Sequence, residues 1–323
     1  MDMDLELDIL SRIIRDNRTF IITSHIMPDG DSVGSLLALA LALKKEGKIV
    51  FAVINDAIPE KYKFLPGSDD IIRAHVNKCD VVISLDCGDT QRLGFGRALK
   101  DLGNIVVNID HHKSNSFFGD INLVDSKASS AGEIVYRLIK RITRIDYEIA
   151  LCLYTSIVTD TGSARYSNTT PFSLKILAEL VEMGVRPDFV SRRVFETKSL
   201  SSIFLLKSAL DTLEISGDGK VASMYITKSM METSGAREED TDGIINYARE
   251  IEGVEVAVLF RETGDFIKVG LRSNEWLDVS KIAEDFGGGG HARASGCILK
   301  TSLWEARDAV LKSIIMHLSG ESG

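Results

Sequence analysis

Short apolar runs alternate with longer mixed segments along the first 125 residues of the chain. The runs are rich in Ile and Val, which is typical of buried strands. They lie at residues 19–24, 48–54, 80–86, 104–109 and 121–124. Residues 32–46, between the first two runs, have the pattern of a helix that ends before Gly47. This alternation predicts an α/β fold with a doubly wound parallel sheet.

The pattern changes in the second half of the chain. Helices are predicted at 130–142, 146–159 and 171–183, and a polar helical stretch follows Pro187. Strands then return at 211–215, 220–227, 254–262 and 266–273, with helices near 238–250 and 302–318. We therefore expect a first domain over residues 1–187, a helical connector over 188–210 and a second, smaller α/β domain over 211–323.

The composition is that of a globular protein with an acidic balance. Hydrophobic residues make up 44% of the 323 positions, charged residues 26%, and the formal net charge is −9. Proteins that bind long nucleic acids regardless of sequence rely on Lys and Arg to neutralise phosphates, so the charge argues against that class. A short anionic substrate is still compatible, because bound divalent cations would invert the local field.

Cysteine spacing and hydropathy indicate the compartment. The cysteines, at 79, 87, 152 and 297, form no Cys-x-x-Cys pair, which argues against a zinc knuckle or a dithiol redox motif. The acidic N-terminus lacks the basic and apolar regions of a signal peptide. The apolar run at 36–43 is far shorter than the ~20 residues needed to span a bilayer. We expect a cytoplasmic protein that does not enter a membrane.

Ionisable side chains follow three of the predicted strands and end one predicted helix. They are His25, Asp29, Asp31, Asp86, Asp110, His111, His112 and, at the helix end, Asp160. In open parallel α/β sheets ligands bind outside the carboxyl ends of the strands, so residues from separate strands can meet there. Several of these residues, taken alone, have a structural explanation: a turn or helix cap for the loop with Asp29 and Asp31, a strand-end turn for Asp86, and a partly buried histidine for His112. Their joint placement at element ends favours a single site.

The residue types point to metal chemistry. Mixed imidazole and carboxylate ligands suit Mn²⁺ better than Mg²⁺, and the absence of thiolate ligands argues against structural zinc. Two such ions ~3.5–4 Å apart could bridge a hydroxide and hold a phosphoryl oxygen for in-line attack. The predicted reaction is hydrolysis of a phosphate ester or anhydride.

These residues closely resemble, in order, the four motifs of the DHH phosphoesterases: His25-x3-Asp29-x-Asp31, Asp86, Asp110-His111-His112, and Asp160 within Thr-Asp-Thr-Gly. The resemblance implies one metal held by His25, Asp29 and Asp86, and a second held by Asp31, Asp86, His111 and Asp160, with Asp86 bridging the two. It also implies that Asp110 orients the neighbouring histidines and that His112 contacts the reacting phosphate. The expected cofactor is two Mn²⁺ ions, with Mg²⁺ or Co²⁺ as substitutes.

A glycine-rich segment at residues 287–296 is the second candidate. Its glycines allow positive φ, so consecutive N–H groups could converge on an oxyanion in a backbone nest. A flexible linker is the alternative, but His291 and Arg293 beside the glycines favour an anion site. The segment resembles the glycine-rich motif of the DHHA1 domain, which implies that Gly289, Gly290, His291 and Arg293 bind substrate.

Two further arginines are candidates. Arg272 matches the strand-end basic residue of the DHHA1 domain, which is expected to bind phosphate or nucleotide. Arg165 either reaches the cleft or is a solvated loop arginine. Ser295 stands where many relatives carry Ala, a small departure from the family pattern.

The resemblance also narrows the substrate. An added OB-type domain, transmembrane segments, and the Ser-Arg-Lys signature of manganese pyrophosphatases are not found in the sequence. The stand-alone DHH–DHHA1 proteins that remain hydrolyse short oligoribonucleotides and in some cases 3′-phosphoadenosine 5′-phosphate. One alternative is a soluble cyclic or linear di-AMP phosphodiesterase, and another is a nucleotide-binding regulator without turnover. The sequence leaves open the base preference, RNA versus DNA, and whether the protein is a homodimer.

Overall fold

Residues 3–73 and 77–320 are described by a computed structural model of the protein, and the chain divides into two units. The boundary lies between Thr197 and Lys198. It falls within the predicted connector of residues 188–210, so the first part of that stretch belongs to unit 1 and its last helix to unit 2. Each unit has its own sheet and its own hydrophobic core.

Unit 1 is a parallel sheet with α-helices, so the predicted α/β class is confirmed. The strands are β1 Thr19–Thr23, β2 Ile49–Val53, β3 Cys79–Leu85, β4 Gly103–Asp110 and β5 Ile121–Val124. The helices are α1 Met3–Asp16, α2 Gly30–Lys45, α3 Ala131–Ile142, α4 Tyr147–Asp160, α5 Pro171–Glu182 and α6 Pro187–Ser191, and a π-helical turn at Arg192–Glu196 follows.

The strand order places the candidate residues together at the carboxyl ends of the central strands. The order is β2-β1-β3-β4-β5, so β1 and β3 are neighbours although β2 lies between them in sequence. Parallel sheets with this order bind ligands outside the carboxyl ends of β1 and β3, because the connections that leave these two strands run in opposite directions. His25 follows β1 and Asp86 follows β3 directly. The topology therefore brings together residues that are 61 positions apart.

The two faces of this sheet are covered in different ways. Phe20 and Ile22 belong to a core that includes buried residues of α1 to α4. Ile21, which points to the opposite face, packs with Val82 and Leu99 in a smaller core formed with the loops between β3 and β4. Both faces are therefore apolar, which explains the continuous hydrophobic runs in the sequence.

Unit 2 is built on a mixed sheet of order β10-β11-β9-β8-β7-β6. Its strands are β6 Glu214–Ser216, β7 Val221–Ile226, β8 Val256–Thr263, β9 Phe266–Ser273, β10 Gly289–His291 and β11 Ala294–Leu299. Its helices are α7 Leu200–Leu210, α8 Lys228–Ser234, α9 Ile244–Arg249, α10 Val279–Asp285 and α11 Leu303–Ser319. Among the described strands of this sheet, β7 and β8 pair in parallel and the other neighbours pair antiparallel.

Some elements differ from the sequence-based predictions. Helices α1, α8 and α10 are additional to the predicted set. The spacing of Leu7, Leu10 and Ile14, which are buried in α1, is a helical signal, whereas α8 and α10 have seven residues each, too few for a clear periodicity. The helix predicted near 238–250 is a 3₁₀ turn followed by α9. No helix in the described ranges is long and apolar enough to cross a membrane.

Candidate metal centre

Asp86 lies at the middle of the candidate site. It follows β3 with φ 53°, a left-handed conformation that is uncommon outside glycine, and it is 2% exposed. His25 Nε2 lies 3.5 Å from Asp86 Oδ2, and His111 Nε2 lies 3.4 Å from Asp86 Oδ1. The two carboxylate oxygens thus face two different histidines. This is the arrangement that a carboxylate shared between two cations requires.

The first group of possible ligands comes from the loop between β1 and α2. Potential ligand atoms of His25, Asp29 and Asp86 lie within 4.8 Å of one another. His25 Nδ1 lies 2.8 Å from the carbonyl oxygen of Ile26, so Nδ1 is the nitrogen that donates and Nε2 is the nitrogen suited to a cation. Asp29 also caps α2 by accepting a hydrogen bond from the backbone N–H of Ser32. The helix-cap explanation of Asp29 therefore holds alongside the metal explanation.

The second group joins three different elements. Asp31 lies in the first turn of α2, His111 follows β4, and Asp160 is the last residue of α4. Possible ligand atoms of the three lie within 4.8 Å of one another. His111 Nε2 is 3.8 Å from Asp31 Oδ2 and 3.9 Å from Asp160 Oδ2. One imidazole thus faces a carboxylate oxygen from each of two helices as well as Asp86.

Asp110 and His112 form a hydrogen-bonded pair beside these groups. His112 Nδ1 lies 2.6 Å from Asp110 Oδ1, and Asp110 is fully buried. Asn115 donates to Asp110 Oδ2 at 2.6 Å and to Asn108 Oδ1 at 2.7 Å, so both oxygens of Asp110 have partners. Asp110 is therefore held firmly in place, and its bond to Nδ1 sets the orientation of the His112 ring.

The donor set fits divalent cations. Asp86 Oδ1 is buried, and within the described chain it makes no hydrogen bond that satisfies it. His111 Nε2 faces this oxygen from 3.4 Å, a distance longer than a close hydrogen bond. A buried carboxylate oxygen without a close hydrogen bond is costly, and a cation would reduce that cost. The surrounding donors are imidazole nitrogens and carboxylate oxygens, which suit Mn²⁺ and related ions. The residues present thus meet the requirements of a two-cation site.

Mutual electrostatics perturb the titration of the cluster. Burial by itself would lower the pKa of His25, but its hydrogen bond to Asp86 and the charges of Asp86 and Asp29 raise that pKa to about 9. For His111, burial is again outweighed by Asp86, Asp160 and Asp31, and the pKa rises to about 11. Burial, with the charge of Asp86, raises the pKa of Asp160 to about 7. Without a cation, the raised pKa values mean that His25, His111 and Asp160 bind protons more readily, which reduces the repulsion among the neighbouring carboxylates.

The predicted substrate residues belong to other elements. Arg165 is exposed in the loop after α4, where its Nε donates to the carbonyl oxygen of Gly162 at 2.7 Å. Arg272 lies near the end of β9, with Nη1 donating to the carbonyl oxygen of Leu271 at 3.0 Å. His291 lies at the end of β10 and is exposed.

The glycine-rich segment forms a hairpin, which differs from the predicted backbone nest. Gly289 and Gly290 are in β10, paired antiparallel with Gly296 and Ser295 of β11. A Cβ at Gly288 would lie 2.2 Å from the carbonyl oxygen of Gly296, and Gly290 has φ +142°. Gly288 and Gly290 therefore allow two backbones to approach closely, and this need explains their presence. A Cβ at Gly289 would meet nothing within 4 Å, so the packing of the hairpin does not require glycine there.

Arg293 is engaged with its own unit. Its Nη1 donates to the carbonyl oxygen of Leu277 at 2.8 Å and to Ser273 Oγ at 3.3 Å, and its Nη2 donates to the carbonyl oxygen of Glu275. The buried carboxylate of Glu255 accepts N–H groups from the same loop, including that of Leu277 at 2.8 Å. Arg293 thus fixes the loop after β9, a structural role that the sequence does not predict.

Several residues that support the site have no counterpart among the predicted ones. Asn168 Nδ2 donates to Asp160 Oδ2 at 3.0 Å and to the carbonyl oxygen of Ser129 at 2.9 Å. Asn115 holds Asp110, and Ser156 donates to Asp31. No sequence pattern identifies Asn168 or Ser156, because their partners come from other elements. Asn115 gives a weak signal, since it follows His112 by three residues in a polar loop.

Comparison with known proteins identifies the family of the chain. The model of the DHH family, N-terminal domain, matches residues 19–157, and that of the DHHA1 domain matches residues 218–320. The chain is 33% identical, over 92% of its length and 90% of the relative, to the bifunctional oligoribonuclease and PAP phosphatase NrnA of Thermus thermophilus. It is 29% identical to the protein of the same name from Bacillus subtilis, over 94% of this chain and 96% of that one.

Solved structures show the same architecture. The crystal structure of an exopolyphosphatase-related protein from Bacteroides fragilis has a TM-score of 0.91 at 28% identity, covering 99% of this chain and 98% of that one. The exonuclease RecJ bound to manganese has a TM-score of 0.52 at 13% identity, covering 98% and 94% of the two chains, and this likeness concerns the fold alone.

Proposed function

The chain belongs to the DHH–DHHA1 family and is a hydrolase of phosphate ester bonds, and we propose that its substrates are short oligoribonucleotides. In this proposal the enzyme depends on manganese and hydrolyses the phosphodiester bonds of these substrates. The products are mononucleotides, and 3′-phosphoadenosine 5′-phosphate is converted to AMP by the same site. The main structural support is the buried Asp86 carboxylate between the two groups of ligands. The names of the relatives support the substrate class.

Two Mn²⁺ ions are the proposed cofactor, with Mg²⁺ or Co²⁺ as substitutes. His25, Asp29 and Asp86 would hold one, and Asp31, Asp86, His111 and Asp160 the other. When bound, the ions supply a nucleophile from water at neutral pH and neutralise charge on the phosphoryl group. The chain's part is to collect the buried carboxylates of Asp31 and Asp86, the half-buried Asp160 and the exposed Asp29 at one point, where cations would compensate their charges.

His112 is the proposed group that contacts the reacting phosphate. Its hydrogen bond to Asp110 engages Nδ1 and fixes the ring orientation, so Nε2 is the nitrogen proposed to meet the substrate. Burial lowers the pKa of His112, but the hydrogen bond and charge of Asp110, with the charge of Asp86, outweigh it and raise the pKa above its usual value. A protonated His112 can donate from Nε2 to a phosphoryl oxygen or to the leaving oxygen.

Unit 2 is the proposed substrate-recognition unit. Arg272 and His291 are its candidates for phosphate contact, and Gly289 and Gly290 allow a ligand to approach the backbone closely. Arg165 of unit 1 is a further candidate. The net charge of −9 gives no general attraction for a long polyanion, which favours short substrates.

The test is a ranking of initial rates with purified Mn²⁺ protein. The panel contains an RNA dinucleotide, an RNA 24-mer, 3′-phosphoadenosine 5′-phosphate, cyclic di-AMP and pyrophosphate. We expect the dinucleotide to be hydrolysed fastest and the 24-mer much more slowly, with AMP released from 3′-phosphoadenosine 5′-phosphate. If cyclic di-AMP or pyrophosphate is hydrolysed fastest, the proposed substrate class is wrong. If no substrate turns over although nucleotides bind, a regulator without turnover is the better description.

A further inference from the structure

The carboxylate of Asp31, a proposed cation ligand, also accepts hydrogen bonds from three donors. It is 1% exposed in the first turn of α2. The N–H of Ala131 donates to Oδ2 at 2.7 Å and the N–H of Gly132 to Oδ1 at 3.0 Å. The hydroxyl of Ser156, on α4, also donates to Oδ1. Three different helices therefore meet at this one side chain.

The N-terminus of α3 is arranged so that two of its N–H groups are left for Asp31. Ser130 is the N-cap, and its hydroxyl accepts the N–H of Glu133 at the third position. The N–H groups of Ala131 and Gly132, at the first and second positions, would otherwise lack partners within the helix. Asp31 accepts both, and the positive end of the helix dipole stabilises its charge.

The donors divide unequally between the two oxygens. A carboxylate oxygen has two lone-pair directions. Oδ1 accepts from both Gly132 and Ser156, so both of its directions are used. Oδ2 accepts from Ala131 only and keeps one direction. Oδ2 is also the oxygen that lies 3.8 Å from His111 Nε2, on the side of the proposed second cation.

The packing around Ser156 indicates that its position is specific. A Cβ built on Gly132 would lie 1.8 Å from Ser156 Oγ, and one built on Gly34 would lie 2.8 Å from Ser156 Cβ. Two glycines, one on α3 and one on α2, thus make the room in which this hydroxyl reaches Asp31. The contact joins residues 125 positions apart.

We propose that Ser156 is a positioning residue for the metal centre. By occupying Oδ1, its hydroxyl leaves Oδ2 as the only oxygen of Asp31 available to the cation shared with His111 and Asp160. This inference rests on the proposed metal site and assigns a residue that the family motifs do not include. Ca²⁺ readily accepts both oxygens of one carboxylate, whereas smaller ions prefer fewer and shorter bonds. Ser156 therefore also favours Mn²⁺ over Ca²⁺.

The test is a measurement of cation binding without substrate. Ser156→Ala should weaken one of two Mn²⁺ equivalents, measured by calorimetry, by roughly 10- to 100-fold, the usual range for partners of metal ligands. The ratio of Ca²⁺ to Mn²⁺ affinity should rise at the same time. Thr155→Val is the matched control, because the buried Thr155 hydroxyl on the same helix donates to the carbonyl oxygen of Leu151 and has no bond to Asp31. It should leave both affinities and their ratio unchanged.

Two results would overturn the inference. One is unchanged affinity and unchanged Ca²⁺ selectivity in Ser156→Ala, and the other is an equal loss in Thr155→Val, which would indicate general damage to α4. The melting temperature of each variant in EDTA establishes that it is folded. Normal Mn²⁺ binding by the wild-type protein with either result leaves the proposed function intact. Wild-type protein that binds no Mn²⁺ would overturn the metal centre and this inference together.

Discussion

The metal cluster of unit 1 (His25, Asp29, Asp31, Asp86, His111 and Asp160) and the glycine-rich hairpin of unit 2 (residues 287–296) are both predicted from the sequence as parts of the active site. They differ in burial. Asp31 and Asp86 are almost completely buried, whereas Gly289, Gly290 and His291 are exposed. The cluster gathers carboxylates and histidines into groups whose ligand atoms lie within 4.8 Å, while the hairpin makes its regular contacts through backbone pairing.

This difference teaches which kind of functional residue a sequence motif identifies well. A buried charge without a partner destabilises the fold. Acids and histidines that become buried at strand ends are therefore expected to lie close to groups that compensate their charge. Exposed glycines and half-buried arginines have no such constraint, and structural uses compete with functional ones. Arg293 illustrates this, since its guanidinium binds backbone carbonyls of its own unit.

The largest effect is expected for the residue at the middle of the metal cluster. Asp86→Ala should abolish turnover, because a carboxylate that faces both groups of ligands cannot be removed without uncoupling them. The measurement is the hydrolysis rate of an RNA dinucleotide in saturating Mn²⁺. A residual rate above about a tenth of the wild-type rate, which corresponds to only ~1.4 kcal/mol of barrier, would contradict the bridging role.

The second prediction separates His112 from the metal ligands. His112→Ala should lower kcat by about 10²–10⁴, the range typical of a positioned acid or base, while the metal content stays close to two equivalents. Elemental analysis and single-turnover rates measure the two quantities. His111→Ala is the control, because His111 faces three carboxylates and its loss should reduce metal content. Loss of one metal equivalent in His112→Ala would instead make His112 a ligand.

The third prediction concerns pH and the metal-free cluster. A cation binds neutral imidazole, so His25, with its pKa raised to about 9, must lose a proton on binding. The affinity for Mn²⁺ should therefore rise with pH between about 6.5 and 9, by up to about tenfold per unit for each proton released. Calorimetry in buffers of different ionisation enthalpy measures the protons. An affinity that is independent of pH in this range would contradict the protonated cluster.

The same shift predicts the pH dependence of stability without metal. Since the pKa of His25 is raised in the folded protein, its stabilising contribution is complete below its ordinary value of 6.5 and is lost as pH rises through about 9. The raised pKa of Asp160, about 7, acts in the same direction over a lower range. Thermal unfolding in EDTA should therefore show a melting temperature that falls from about pH 6 to about pH 9, and Mn²⁺ should restore it.

The smallest effects are expected in unit 2, where two arginines should behave differently. Arg272→Ala should raise KM for a dinucleotide by roughly tenfold or more, the worth of a charge-assisted hydrogen bond to phosphate, with His291→Ala acting in the same direction. Hydrolysis of a small activated phosphodiester should stay nearly unchanged. Equal loss of both substrates would show that recognition and chemistry are not separate.

Arg293→Ala is expected to change the stability of unit 2, in contrast to Arg272→Ala, which is expected to change KM. Loss of its hydrogen bonds to Ser273, Glu275 and Leu277 should destabilise unit 2 by about 1–3 kcal/mol, measured by denaturant unfolding. Arg293→Lys cannot reproduce the planar set of donors and should recover little of this stability. A large KM effect with unchanged stability would return Arg293 to the substrate-binding residues.

The sequence by itself determined the parallel sheet and the membership of the cluster. Ile- and Val-rich runs predict strands locally, and parallel strands present their carboxyl ends at one edge, so the residue pattern alone groups His25, Asp86 and His111. It also indicated a second unit, although the boundary between Thr197 and Lys198 lies before the predicted start at residue 211. The short helices α8 and α10 gave too little periodicity to be predicted.

Tertiary structure alone decided how each side chain is held. Ser156 donates a hydrogen bond to Asp31, 125 positions away in the sequence, and the N–H of Ala131 donates to the same carboxylate from 100 positions away. Asn168 donates to Asp160 from a loop that has no sequence pattern pointing to this contact. Tertiary contacts also decided that Arg293 binds carbonyl oxygens of the loop after β9 and that the glycine-rich segment forms a hairpin. The physical reason is that local hydrophobic period and residue chemistry are properties of short segments. Hydrogen-bond geometry, by contrast, depends on where separate helices and strands come to rest after packing.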